Sequence, residues 1–371
     1  MIPKETLDML PRDRVLQALR HEQAQDRLPL DWFAVARASK NMYQYLYPNG
    51  DGPKGSKNFV VADAVHSDMR CLYRPPYTGE QVKYEDGTYL DPLGFHKRFV
   101  VSETSEYEEY AGYPLADAES IEDLENFKWP DPDDFNYDAY TGAMHSLHKK
   151  YITRIWSGGL FECAWGYTGM ETFLENFYME PELNKYILDK LTDFWLGYLD
   201  RCFKAWGDDL DMVFTYDDIG SNIGPMMSFE TWEEFIKPCH KKINKFIHNH
   251  GKIVFYHCDG DIFQKDFLEG FIDMGVDILD PIQMCGEMTL EELKRDYGDR
   301  LCFHGGIDTQ HLLPYGTPEE VVAEVRRVSD ALGVDGGFIL ASCHAVQGDV
   351  PVANLKAMYE EATGLPIEPR V

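Results

Sequence analysis

The stretch Ile253–Asp280, IVFYHCDGDIFQKDFLEGFIDMGVDILD, holds one complete strand–helix–strand unit. Ile253–Tyr256 is a short apolar run of β-branched and aromatic residues, as a buried strand requires. Phe263–Met274 carries its apolar residues at helical spacing. Ile278-Leu279 then begins another strand. Two strands joined through a helix pair in parallel. The same alternation runs outward in both directions. Upstream, Ile152–Trp156 and Met212–Thr215 read as strands, and Met170–Phe177, Leu183–Trp206 and Ser228–Asn249 as helices. Downstream, Leu301–His304 and Phe338–Ala341 read as strands, with helices over Leu290–Tyr297, Pro318–Leu332 and Val352–Thr363. Successive βα units without hairpin signals between them predict a parallel sheet, and a (β/α)8 TIM barrel fits better than an open sheet.

The amino-terminal part is less regular. Pro11-Arg12-Asp13 leads into a helical run through Leu19, with Asp13 as the expected cap. Asp26–Phe33 is the expected first barrel strand. Residues 34–135, rich in Tyr, Pro, Gly and Asp, read as an irregular insertion near the pocket mouth, with a hairpin about Asp86-Gly87 and an acidic connector over 120–135. The expectation is a single barrel domain over residues 1–371.

Composition narrows the function. Apolar residues make up 44% of the 371, enough for a large core, so a disordered chain is excluded. Lys+Arg is 35 against 64 Asp+Glu, a formal charge of −29. Such a surface repels phosphate backbones and anionic membranes, so neither nucleic acid nor membrane is an expected partner. The opening residues show no secretory pattern. No window reaches the roughly 20 apolar residues of a membrane span. The eight cysteines form no CxxC pair. A soluble, cytoplasmic protein with reduced thiols is expected. GxGxxG, GxxxxGK[ST] and GxSxG are all absent, which disfavours dinucleotide binding, P-loop chemistry and a serine-elbow hydrolase.

In a βα barrel the chemistry sits where strands stop. Five stops carry polar residues: Tyr216-Asp217-Asp218, His257-Cys258-Asp259, Asp280-Pro281-Ile282-Gln283, His304-Gly305-Gly306 and Ser342-Cys343-His344. If the strand continues through His257, alternation puts His257 and Asp259 on one face and Cys258 on the other. An imidazole and a carboxylate so placed can share a divalent metal, with a third ligand from Cys343 or His344, a set suited to zinc. The bland alternative is a hydrogen-bonded barrel histidine. Of Asp217 and Asp218, at most one should face inward, as a general acid or base or a substrate contact; the alternative for either is a cap on the following loop. Gln283 is a candidate ligand contact, and Glu162 and Trp165 are candidate pocket linings. His304 reads as structural. The lysine-bearing segment His240–Lys245 reads as a solvated helix face.

At these residues the chain resembles the uroporphyrinogen decarboxylase superfamily, whose fold is a (β/α)8 barrel. Gly305-Gly306-Ile307-Asp308, Leu312-Leu313, Gly316-Thr317-Pro318-Glu319-Glu320-Val321 and Gly336-Gly337-Phe338-Ile339-Leu340 look like the family's GNIDP…LL…GTPEEV…GGFIL run. His344-Ala345-Val346-Gln347, Asp349-Val350-Pro351 and Asn354 resemble its closing element. Arg14…Ala18-Leu19 with Asp26–Pro29 is similar to its opening, and Gly224–Ser228 with Trp232 and Phe235–Pro238 to its middle. The decarboxylase branch carries an RQAGR-type arginine motif. Here Phe33–Ser39 holds only Arg37, poorly suited to a polycarboxylate. The cobalamin-dependent methyltransferase branch resembles zinc enzymes with an H-x-C pair and a later Cys. Here His257 matches, Asp259 stands where the Cys is usual, and His344 or Cys343 falls at the later position. Harder ligands disfavour thiol donors and favour an ether.

The resemblance therefore implies an O-demethylase-like methyltransferase moving methyl from a small methylated donor, such as a methoxylated aromatic, to a corrinoid protein that supplies the cobalamin. His257, Asp259 and Cys343 would hold zinc; Asp218 and His344 would be catalytic; Tyr216, Tyr256, Gln283 and Trp165 would bind substrate. A tetrapyrrole decarboxylase and a barrel that only binds a corrinoid or porphyrin-like ring are the rival expectations. A homo-oligomeric state stays open.

Overall fold

The computed structural model describes residues 9–24, 26–102, 106–283 and 285–370. The opening residues Met1–Asp8, which carry part of the leader reading, lie outside them. Seven parallel strands follow one another around a barrel: β1 (Met69–Leu72), β2 (Ile152–Trp156), β3 (Met212–Tyr216), β4 (Ile253–His257), β5 (Ile278–Ile282), β6 (Cys302–Ile307) and β7 (Phe338–Ser342). Their order in the sheet is their order in the sequence, each strand pairing in parallel with the next.

The segment 29–35 closes the ring. On one side it bridges Leu30 to Leu340 of β7, and Val35 N–H reaches the Val346 carbonyl at 3.0 Å. On the other side the Asp68 N–H donates to the Leu30 carbonyl at 2.8 Å. Side chains replace the rest of the ladder there: the Asp68 carboxylate accepts the Leu30 N–H at 2.8 Å and the Ser67 hydroxyl accepts the Trp32 N–H at 3.1 Å. Asp26–Phe33 thus lies where the sequence places the first barrel strand, held by bridges rather than a regular ladder.

Inside the barrel, Met69, Ile152, Met212, Phe214, Phe255, Ile278, Cys302 and Ile339 pack together. Val15, from the helix Pro11–Leu19, joins this cluster and plugs the end where the strands begin. That helix opens on Pro11 with Leu10 before it, and Asp13 lies in its first turn instead of capping it. Burying each of these large side chains stabilises by about 2–3 kcal/mol.

Residues 34–135 are more regular than their composition suggests. They hold the helices Ala36–Leu46 and Lys57–Ala64, strand β1 itself, and a three-stranded antiparallel sheet of Tyr89–Leu90, His96–Val101 and Glu106–Gly112. Strand β1 (MRCL) hides from a periodicity reading because its buried Arg70 pairs with Asp63. The expected turn at Asp86-Gly87 forms, with Tyr84 N–H bonded to the Thr88 carbonyl at 2.8 Å. The helix expected over 228–249 divides at a π-turn, Trp232–Ile236, just before Pro238, whose missing N–H cannot continue the α ladder. Among the described residues, no helix is long and apolar enough to cross a membrane.

Candidate metal site at the barrel mouth

His257 ends β4 with its ring turned inward. Its Nδ1 pairs with Asp280 Oδ2 at 2.5 Å. The other Asp280 oxygen takes Nδ1 of His304. His304 Nε2 lies 3.3 Å from Asp31, which also pairs with Arg154 at 3.0 Å. A buried chain of alternating charge thus crosses the barrel beneath the mouth. Burial disfavours a charged imidazole, yet Asp280, with Asp259 and Asp218 behind it, raises His257 to about 10. Burial opposes ionisation of Asp31 as well, but Arg154 and His304 lower it to about 2. Asp280 fixes which nitrogen of His257 stays open: Nε2 faces the mouth.

There it meets two further donors. Nε2 of His257 stands 3.6 Å from Asp259 Oδ1, and Nε2 of His344 stands 3.5 Å from Asp259 Oδ2. One atom from each of the three residues lies within 4.8 Å of the others. These separations exceed a good hydrogen bond. They match two ligands about 2.1 Å from one ion at a tetrahedral angle, which stand about 3.4 Å apart. Asp259 Oδ1 is buried with no hydrogen-bond partner among the described residues, a cost normally avoided. The donor set therefore fits a divalent ion such as zinc.

Alternation along the strand places His257 and Asp259 together as the sequence suggests, with Cys258 fully buried on the other side. The structure does not bring Cys343 to the cluster. Its buried Sγ donates to the Ile282 carbonyl at 3.2 Å, and burial pushes its thiol well up. Neighbours at a strand end face opposite ways, and here His344 takes the inward position.

The two aspartates after β3 take different places. Asp217 is fully buried and accepts the N–H groups of Leu160 and Glu162 at 2.7 and 3.1 Å and pairs with His240 Nε2 at 2.5 Å. It fastens the helix Phe161–Thr168 to the barrel. His240 is accordingly no part of a solvated face, although Lys241 and Lys242 beside it are exposed. Asp218 stays at the rim, where it accepts the Asp259 N–H at 3.1 Å. Gln283 steadies the same loop, accepting the Gly260 N–H at 3.4 Å.

The aromatic walls differ from expectation in part. Tyr216 faces the mouth, its ring 5.6 Å from Trp156. Tyr256 does not: one residue before His257, it points outward and packs 5.3 Å from both His240 and Phe271. Trp165 sits 4.8 Å from Tyr110 of the antiparallel sheet, away from the strand ends. In their place stand Trp156, stacked on Phe214 at 4.6 Å, Phe33 between Trp156 and His344 at 6.3 and 6.1 Å, and Tyr73 at 5.6 Å from Trp156. The last aromatic of each strand end was the signal for these.

Glu162, at the start of its helix, is pushed up to about 7, first by burial and then by Asp218 and Asp217. It is a carboxyl able to hold or release a proton near neutrality.

A family model for uroporphyrinogen decarboxylase (URO-D) matches residues 90–365. The chain belongs to this family. Among curated relatives it is 25% identical over 253 residues to a methylated-thiol–coenzyme M methyltransferase from Methanosarcina mazei, a match covering 66% of this chain and 63% of that protein. It is 23% identical over 368 residues to a uroporphyrinogen decarboxylase from Proteus mirabilis, covering 95% of each. Against other bacterial decarboxylases of the family the match spans about half their length. The solved structure of a methyltransferase from Methanosarcina mazei superposes with a TM-score of 0.68 at 16% identity, covering 96% of this chain and 98% of that one. That likeness establishes the barrel.

Proposed function

We propose that this family member is a methyltransferase moving a methyl group from a small methylated donor to the cobalt of a corrinoid carried by a partner protein. One observation carries the reading: His257, Asp259 and His344 turn three open donor atoms toward one point, under a mouth walled by Phe33, Tyr73, Trp156 and Tyr216. The similarity to the Methanosarcina methyltransferase supports it. His257, Asp259 and His344 would hold the zinc, which when bound would supply Lewis acidity to the heteroatom that takes the electron pair of the broken carbon–heteroatom bond.

The chain's own groups do the rest. Asp280 holds the His257 ring in its ligating tautomer. Asp218 pins the backbone of Asp259. The aromatic walls exclude water and hold an apolar donor, and a methoxylated aromatic fits both them and the hard donor set. Glu162, protonated for part of the time at neutral pH, returns a proton to the departing oxygen. Residues 34–135 shape the mouth of what we take to be one barrel domain.

Elemental analysis and methyl transfer to cob(I)alamin from methoxylated aromatics test this. Stoichiometric zinc in the purified protein and loss of transfer in His257→Ala are expected. A protein without zinc whose His257→Ala variant keeps full activity overturns it. The full-length match to the Proteus decarboxylase keeps a second reading in play: metal-free decarboxylation of uroporphyrinogen, recognised by turnover that survives a chelator.

A further inference from the structure

Two arginines, each 2% exposed, are served very differently. Arg14 bonds through all three of its nitrogens: Nε and Nη2 reach Asp26, and Nη1 reaches Asp68. Arg154, on β2, uses one. Its Nη2 donates to Asp31 at 3.0 Å, while Nε and Nη1 are buried with no partner among the described residues. Asp31 is itself shared. The oxygen that takes Arg154 also lies 3.3 Å from Nε2 of His304, and the other accepts the Ser67 hydroxyl at 3.4 Å. Guanidinium N–H groups shut away from water without an acceptor are costly, so they mark a place kept for one.

Arg154 lines a cavity of about 310 Å³, its open side included, together with Trp32, Phe33, Cys71 and Tyr73. The cavity lies between the segment 29–35 and β1, where side chains stand in for part of the ladder. Nothing around it discharges Arg154. None of the described residues lining it is a carboxylate. Burial raises the Cys71 thiol against the pull of Arg154, so it stays protonated. Trp32 adds a further buried donor, Nε1, with no partner among the described residues. The second cation on the lining, Arg70, is committed to Asp63 and to the Ser67 and Met69 carbonyls.

The cavity borders the metal cluster. Phe33 and Tyr73 wall both the cavity and the mouth, and the Phe33 ring stands 6.1 Å from that of His344. On the other side the Arg154 guanidinium carbon is 5.3 Å from the Phe214 ring, which is 5.4 Å from the His257 ring. We propose that the cavity at Arg154 is the subsite for an oxygen acceptor on the small molecule that enters the mouth, a carboxylate in the first instance. Resting on the methyltransferase reading, this makes the donor a methoxylated ring with its acceptor at Arg154 and its methyl-bearing end toward His257, Asp259 and His344. A guanidinium with unspent N–H groups takes a carboxylate best.

Binding, without any methyl transfer, tests the subsite. Calorimetry on the purified full chain compares 4-methoxybenzoate and 4-methoxybenzamide with 4-methoxytoluene, whose methyl group offers no acceptor. The benzoate should bind about tenfold or more tighter than the toluene, with the amide between them. Arg154→Gln should remove most of that preference. Arg154→Lys keeps a cation for Asp31 should the glutamine variant fail to fold, and it too should lose most of the preference. A crystal structure with the benzoate should place a carboxylate oxygen within hydrogen-bond distance of Arg154 Nε or Nη1. The proposal is overturned if neither acceptor-bearing compound binds tighter than the toluene, if a folded Arg154 variant keeps the full preference, or if the cavity holds only water while the benzoate lies elsewhere. Acceptor preference without methyl transfer to cob(I)alamin would retain the subsite and refute only the proposed activity.

Discussion

Two short histidine–aspartate pairs stand back to back across the wall of the barrel. His240 and Asp217 meet at 2.5 Å between a helix and the end of β3, and His257 and Asp280 meet at 2.5 Å inside the mouth. Both histidines are buried. They differ in what the second nitrogen sees. Nδ1 of His240 is enclosed with no partner among the described residues, while Nε2 of His257 faces Asp259 and the side of His344. A tight pair therefore does not mark a site by itself; an open donor aimed at other open donors does.

The comparison breaks most visibly at His257. His257→Ala should lower methyl transfer about a thousandfold or more, since Lewis-acid assistance accounts for several kcal/mol of barrier. Zinc should be missing from the purified variant, as elemental analysis would show. The two carboxylates come next. Asp280→Ala leaves two buried histidines without their shared partner and should cost about 3–5 kcal/mol in chemical denaturation, with zinc affinity down about 10–100-fold. Asp217→Ala should cost a similar stability yet leave zinc stoichiometry intact. Loss of zinc from Asp217→Ala would erase the distinction between the pairs.

A pH series sharpens it further. The His257 imidazole is raised in the folded, metal-free protein to about 10 from an ordinary value near 6.5. The stability it contributes is thus complete below about 6.5 and lost as pH rises through about 10. Zinc competes with that proton, so affinity should climb over the same window while the metal-free protein weakens, and calorimetry in buffers of different ionisation heat should show close to one proton released per zinc bound near pH 7. The smallest effect belongs to Cys343. Cys343→Ser should retain zinc and change stability by about 1 kcal/mol at most, because the thiol already serves the Ile282 carbonyl.

The strand-end half of the molecule was readable because its units are regular. Apolar runs that stop at His257, Asp280 and His304 locate the rim, and strict alternation separates His257 from Cys258. Alternation alone could not choose between Cys343 and His344, since either can face inward where a strand ends and only the packing of β6 against β7 decides. Tyr256 shows the same rule misapplied: an aromatic beside an inward histidine faces out. Asp280 was legible as a strand stop, but its role between His257 and His304, like that of Asp31, was not, because an aspartate that orients another residue has no spacing signature. Residues 34–135 were opaque for a different reason. Strand β1 carries a buried arginine, Arg70, paired with the exposed Asp63, which interrupts the apolar period on which such a reading depends.

The seam at Leu30 and Leu340 joins segments about 310 residues apart, and it also borders the candidate metal site. Asp31 and Phe33 lie on one lip, and His344 and Val346 on the other. The barrel therefore cannot close before residues 340–346 meet residues 30–35, and the His257, Asp259 and His344 cluster cannot assemble in a half-made barrel.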